Sequence, residues 1–229
     1  MNKINTFDPI WEQHYSQGSH LNRYPFDLVV SFVYRHYPRH KLRHAIRILE
    51  VGCGTGNNLW FMAREGFQVL GIDASVSAVK FAKHRFFEEG LRGDFQVGDF
   101  VLLPFYNEFF DLAIDRCSIT CCGQSSAHRA VNEVNRVLQL GGKLLFNCYS
   151  KRHTSYGSGR PGPDGLRVDI SAGTLVGVGQ ICFYDRDDLE ALFNTGWKWL
   201  SIQHMENIEQ VHSEYSVHAE WKVIVEKVS

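Results

Sequence analysis

Apolar residues in this chain fall into two kinds of block that alternate along it. Short, nearly continuous runs such as Ile48-Leu49-Glu50-Val51, Val69-Leu70-Gly71-Ile72 and Phe110-Asp111-Leu112-Ala113-Ile114 suit buried strands. Between them, apolar positions recur at helical spacing, as at Ala78, Phe81 and Ala82, or Ala127, Ala130, Val131 and Val134. The length of 229 residues suits one domain, 1–229, with its own core. There are no internal repeats.

Taken in order, residues 1–45 predict two helices. Asp8 caps the first, with Pro9 at its first position and Trp11 and Tyr15 on one face, until Gly18 breaks it. Phe26 to Tyr37 forms the second, an amphipathic helix stopped by Pro38. Strands then end at Val51, Asp73, Val97 and Asp115, separated by a helix from Asn57 and another from Ser75 to Gly90. A helix over Ser126–Leu138 and a turn at Leu140–Lys143 lead into a fifth strand, Leu144–Tyr149. Residues 150–180 change character: prolines and glycines interleave with basic residues, leaving little to pack as a core, so a long loop with at most one hairpin is expected. An acid-started helix near Asp185–Phe193 and strands Trp197–Ile202 and His218–Glu226 close the chain.

The chemistry concentrates at Glu50-x-Gly52-x-Gly54-x-Gly56 and at Asp73. Glycines alternate where a nucleoside approaches the backbone closely, and an acid at the next strand tip suits ribose hydroxyls. The dinucleotide pattern G-x-G-x-x-G is not met, because Asn57 stands at its last position. The acid-x-Gly-x-Gly-x-Gly spacing resembles the first motif of the class I S-adenosylmethionine (SAM)-dependent methyltransferases. Gly98-Asp99-Phe100, the strand Phe110–Asp115 and the V-L-x-x-G-G-x-L-L stretch from Val137 extend the resemblance over nearly the whole chain.

That resemblance implies an α/β fold: a Rossmann-like, seven-stranded, mostly parallel sheet with helices on both faces and an antiparallel last strand. It implies SAM as cofactor, held by Glu50, Gly52, Cys53, Gly54, Gly56, Asp73 and Ala74, with Asp99 and Phe100 at the adenine. Residues 1–45 would form a cover, bringing Tyr15 over the cofactor and Arg23 to its carboxylate; alternatively, Trp11 and Tyr15 staple a helix to the core. Asp115 and Arg116 would meet the cofactor's amino acid part or the substrate, or else bond each other locally. Residues 150–180 would be a substrate-side insertion, with His153 as a base and Tyr149, Tyr156, Arg160 and Arg167 as substrate contacts. Lys151 and Arg152 add two more cations there, with Asp164 and Asp169 to balance the four, a pattern that suits an anionic metabolite bearing a carboxylate or phosphate. The overall look resembles bacterial methyltransferases of small-metabolite or surface-saccharide pathways, which implies a saccharide precursor as the other choice.

Composition narrows the partners. A formal charge of -1 and no run of basic residues argue against nucleic acid, and a small-molecule substrate is expected. No apolar stretch is long enough to span a membrane, and the polar start lacks a signal peptide's centre, so a cytoplasmic protein is expected. Cys117, Cys121 and Cys122 have loose metal-ligand spacing, but small thiols in a buried strand account for them, and no metal is expected. The oligomeric state is left open. Two other readings stand beside a methyltransferase: a non-catalytic SAM-binding regulator and a nicotinamide-dependent oxidoreductase.

Overall fold

The computed structural model describes residues 6–211 and 216–229; the first five residues of the expected cover lie outside them. In chain order the elements are α1 (Ile10–Ser16), α2 (Asp27–His36), β1 (Arg47–Val51), α3 (Asn57–Arg64), β2 (Gln68–Asp73) and α4 (Val76–Glu88). Then follow β3 (Asp94–Val97), β4 (Phe110–Arg116), α5 (Gln124–Val137), β5 (Leu138–Tyr149), α6 (Thr154–Ser158) and β6 (Arg160–Pro161). The last are β7 (Leu166–Val168), β8 (Ile181–Cys182), α7 (Arg186–Leu192), β9 (Trp197–Ile208) and β10 (Val217–Lys227).

Seven strands make one sheet in the order β3-β2-β1-β4-β5-β10-β9. The first five run parallel, and β10 is antiparallel to both of its neighbours. Strand side chains alternate between two cores. Leu49, Val51, Ala113, Leu144 and Phe146 pack with α5 and α7 residues such as Val134 and Leu189. Ile48, Leu112, Ile114 and Leu145 pack with Phe32, Leu59 and Phe86 of α2, α3 and α4. The central strands β1, β4 and β5 are thus covered on both faces, which is why their sequences read as nearly continuous apolar runs. The chain leaves β1 in one direction and reaches β4 in the other, so the loops after these strands diverge. That divergence opens a crevice at their carboxyl ends, where open α/β sheets bind ligands.

Four local readings change. β5 begins at Leu138, and the expected turn is an irregularity within it: partners jump from Phe110–Leu138 to Leu112–Lys143, with Gly141 at φ +76°. α1 starts one residue late, and the Asp8 carboxylate accepts from the Ile10 amide at 3.0 Å. Residues 150–180 are not a bare loop. β6, β7 and β8 form a small antiparallel sheet, and Ile170, Leu175, Ile181 and Phe183 build a third apolar cluster with Cys121. Residues 35–47 are more basic than the sequence reading allowed, but several of their cations turn onto the body. Lys41 pairs with Asp111 at 2.6 Å, Arg43 with Glu65 at 2.8 Å, and Arg47 lies 4.2 Å over the Phe109 ring.

Candidate functional site

The loop after β1 is shaped by left-handed backbone. At Gly54 φ is +50°, and a Cβ there would fall 2.6 Å from the Tyr15 hydroxyl; at Gly52 φ is +63° and a Cβ would overlap Ser118. Only glycine meets both the angle and the space. Gly56 serves helix packing instead, backed by the Phe95 ring. Asp73, at the tip of β2, holds the loop: one carboxylate oxygen accepts from the Gly54 amide and the other from the Ser75 amide, each at 2.8 Å.

Polar side chains just after the glycines bind the N-terminal segment to this loop. Thr55 Oγ1 donates to the Asn22 carbonyl and Asn57 Nδ2 to the Tyr24 carbonyl, each at 2.9 Å. Asn58 accepts from the Phe26 amide at 3.0 Å and donates to Glu50 Oε1 at 2.6 Å. The other Glu50 oxygen is buried and has no partner among the described residues. Burial, together with the charges of Asp115 and Asp73 and against the Asn58 hydrogen bond, pushes the Glu50 carboxyl up to about 8. Burial also raises Asp73, although the Ser75 and Gly54 amides oppose it.

A cleft with two compartments lies over these strand tips. The first, about 200 Å³, is walled by Glu50, Gly52, Cys53, Gly54, Tyr149, Phe26 and His20. The second, about 110 Å³, is walled by Asp73, Ala74, Phe100, Ser118 and Phe7. Trp11, Tyr15, Gly52, Arg116, Cys117 and Cys121 line both. Arg116 lies 4.4 Å over the Phe26 ring and pairs with Glu220 at 3.3 Å.

Several residues singled out in the sequence lie outside these walls. Arg23 is exposed, and its carbonyl accepts from Arg85 at 2.7 Å. Asp99 sits behind the second compartment, bonded to the Val101 amide at 3.0 Å and to Thr6. Asp115 is fully buried and caps the turn after β4, taking the Ser118 amide at 3.0 Å and the Ile119 amide at 2.9 Å. It is therefore a turn-holder rather than a cleft wall, and burial pushes its carboxyl up to about 6. His153 is buried away from the cleft: its Nδ1 caps α6 by accepting from the Ser155 amide at 2.9 Å. Burial and the neighbouring His218 lower His153 to about 4. Tyr156 packs on Phe183 beneath Arg167, whose guanidinium lies 4.2 Å over the Tyr156 ring. Arg160 is exposed and paired with Asp169. Lys151 takes Asp185 and Asp188, each at 2.7 Å, and Arg152 takes Glu206 at 2.6 Å, so three of the four expected cations meet acids.

Comparison with known proteins bears on this arrangement. Residues 48–142, from β1 into β5, match the family model described as a methyltransferase domain. A putative methyltransferase of Geobacillus sp. (strain WCH70) is 28% identical over 131 residues, covering 57% of this chain and 53% of that protein. Squalene methyltransferase 1 of Botryococcus braunii is 30% identical over 165 residues, covering 63% of this chain and 43% of that protein. A crystal structure of a SAM-dependent methyltransferase from Methanosarcina mazei superposes with a TM-score of 0.70 at 20% identity, covering 86% of this chain and 97% of that one. Residues 48–142 thus match a methyltransferase domain, and the chain has the Rossmann-like fold seen in SAM-dependent methyltransferases. It spans about half the length of the curated relatives it matches.

SAM is the cofactor that a methyltransferase domain on this fold implies, and the residues present fit it. Gly54 and Glu50, with its unpartnered oxygen, line the first compartment, and the Asp73 strand tip lines the second. The sequence missed His20, Cys117 and Ser118. The last two follow β4 directly, where position alone was a usable signal; His20 carries no periodic signal at all. Among the described residues no group of three His, Cys, Asp or Glu side chains is arranged to hold a metal ion, and no helix is long and apolar enough to cross a membrane.

Proposed function

We propose that the chain is a methyltransferase that uses SAM to methylate a small molecule. The observation that carries this reading is the two-compartment cleft: Glu50 and Gly54 share the first compartment with Trp11, Tyr149, Val178 and Ile181, and Arg116 and Tyr15 join it to the second, where Asp73 and Phe100 lie. When bound, SAM supplies an electrophilic methyl group on sulfur. Asp73 would hold the ribose, Phe100 with Asp99 behind it the adenine, and Glu50 and Arg116 the amino acid end.

The chain's own contribution is to orient the reactants and exclude water. Residues 6–45 act as a cover and 150–184 as a lid, and the two meet over the cleft. Asp8 accepts from the Gln180 amide at 3.0 Å, and His14 Nε2 lies 2.8 Å from the Gly177 carbonyl. Burial holds Tyr149 protonated. His20 takes the place expected of His153: it lines the first compartment, and burial with His14 beside it lowers it toward the neutral form that accepts a proton. Arg116 is the one Lys or Arg among the described residues lining the cleft, and Glu220 neutralises it. Beyond the cation that would meet the cofactor's carboxylate, the described residues of the cleft offer no positive charge to an acceptor, which argues against a polyphosphate or saccharide diphosphate.

Calorimetric titration with S-adenosylhomocysteine and with NAD, followed by methyl release from labelled SAM across a metabolite panel, tests the reading. S-adenosylhomocysteine binding without NAD binding, and turnover on one panel member that falls at least about a hundredfold in His20→Ala, are expected. Tight NAD binding would point to an oxidoreductase. Cofactor binding with no turnover on any acceptor would favour the regulatory protein.

A further inference from the structure

Behind Arg116 lies a chain of polar groups that the cleft does not account for. Glu220, in β10 and 6% exposed, presents its carboxylate to three nitrogen donors, with the Cys117 thiol 3.9 Å away. Arg116 reaches it at 3.3 Å, His218 Nε2 at 3.0 Å and Asn147 Nδ2 at 3.2 Å. On its far side, His218 Nδ1 lies 2.7 Å from Thr174 Oγ1 and 3.2 Å from His153 Nε2. Thr174 belongs to the 150–184 segment, 44 residues away in sequence.

The hydrogen inventory of this chain closes in one way with both imidazoles neutral. His153 Nδ1 accepts the Ser155 amide, so its proton sits on Nε2 and points at Thr174 and His218. His218 then carries its proton on Nε2, toward Glu220, and its bare Nδ1 accepts from the Thr174 hydroxyl. Glu220 stays ionised between His218 and Arg116. Burial alone would raise it, but the His218 hydrogen bond and the Arg116 charge outweigh burial and bring it below its ordinary value. The Arg116 Nε is buried with no partner among the described residues, so Glu220 fixes one edge of the guanidinium and leaves another unspent.

We propose that Glu220 is the positioning residue of Arg116, and that Thr174, through His218, latches the lid to it. Lid closure and the placement of the cleft's cation are then one event. A ligand shut in by the lid meets Arg116 already in place; with the lid open, His218 loses the Thr174 hydroxyl that orients its ring toward Glu220, and Glu220 holds Arg116 less firmly. This inference rests on the SAM-binding reading of the cleft.

The test combines amide hydrogen exchange at Leu175, whose N–H donates to Ser155 Oγ at 3.3 Å, with calorimetric affinity for S-adenosylhomocysteine. It uses Thr174→Val, Glu220→Gln, Arg116→Met and the pairs that combine Arg116→Met with each of the others. Thr174 is exposed and outside the cleft, so its substitution keeps the fold if Glu220→Gln does not. Expected are roughly tenfold faster Leu175 exchange in Thr174→Val and Glu220→Gln, with affinity down about threefold and tenfold respectively. Both affinity losses should vanish in the Arg116→Met background, because the residue being positioned is gone. Losses that persist there make Glu220 merely structural and overturn the proposal, as does an unchanged affinity in Thr174→Val. If the wild type binds no S-adenosylhomocysteine, the cofactor reading fails by itself. The exchange arm then decides: faster Leu175 exchange in Glu220→Gln supports the latch, and unchanged exchange overturns it.

Discussion

The two walls of the cleft are built in opposite ways. The cofactor wall hangs on parallel strand tips: β1 delivers Glu50 and the glycines, and β2 delivers Asp73, which bonds back to the Gly54 amide within 2.8 Å. Backbone geometry does most of the work there, and side chains are short. The opposite wall, from residue 150 to 184, has only two- and three-residue strands and one short helix. It keeps its shape through side-chain contacts made at long range, such as Asp164 taking the Ser125 amide, Asp8 taking the Gln180 amide and Thr174 meeting His218. A wall resting on strand ends is rigid because the whole sheet must move to change it. A wall resting on scattered hydrogen bonds opens locally, at the low end of the stability scale, as a lid requires.

The largest effect expected from this contrast is on the cofactor wall. Gly54→Val places a branched side chain at a φ of +50° and against the Tyr15 hydroxyl. S-adenosylhomocysteine binding should fall below detection while far-ultraviolet circular dichroism still reports a folded chain. Unchanged calorimetric affinity in the folded variant would mean that the glycine loop is not the site.

A pH dependence comes next. The folded Glu50 carboxyl is raised to about 8, so its protonated form favours the fold. That contribution is complete below the ordinary carboxylate range and is lost as pH rises through about 8. The ligand-free protein should therefore melt at progressively lower temperature from mildly acid to mildly alkaline pH, with Asp115 adding to the fall up to about 6. Glu50→Gln, still able to accept from Asn58, should flatten the upper part of that profile. A wild-type melting temperature that rises over the same range contradicts the assignment.

The smallest effect belongs to the lid's outer cations. Arg160 sits in an exposed pair with Asp169, and exposed pairs contribute about 0–1 kcal/mol. Arg160→Ala should leave affinity for cofactor and acceptor within about twofold in steady-state kinetics. A large rise in the acceptor's Michaelis constant would restore the anionic clamp that the sequence suggested, and would blur the distinction between a rigid binding wall and a lid that only closes.

What was legible in the sequence follows the same division. Strands buried on both faces must be apolar, and a loop passing under a nucleoside must be glycine, so β1, β2, β4, Glu50, Gly54 and Asp73 could be located from residue type and spacing alone. These constraints are local: they act within a strand and the turn that follows it. The lid obeys no such period. Its apolar cluster of Ile170, Leu175, Ile181 and Phe183 is spread among glycines and prolines and becomes a core only when Cys121 and Trp11 arrive from elsewhere in the chain. Charge was the most misleading guide, because a cation's role depends on which acid the fold brings to it. Lys151 and Arg160 found partners within the lid and its flank, whereas Arg116 met Glu220, 104 residues further on by numbering, and was left facing the cleft. His153 and His20 differ in the same way: nothing in the sequence around either imidazole marks which one the fold buries as a helix cap and which it turns toward the cleft. Residue type and spacing located the strands and the glycine loop, because covalent neighbours impose those constraints, and the resemblance implied how the strands assemble; tertiary structure alone decided the partners of the charged and titratable groups, because only folding brings each charge to its counterpart.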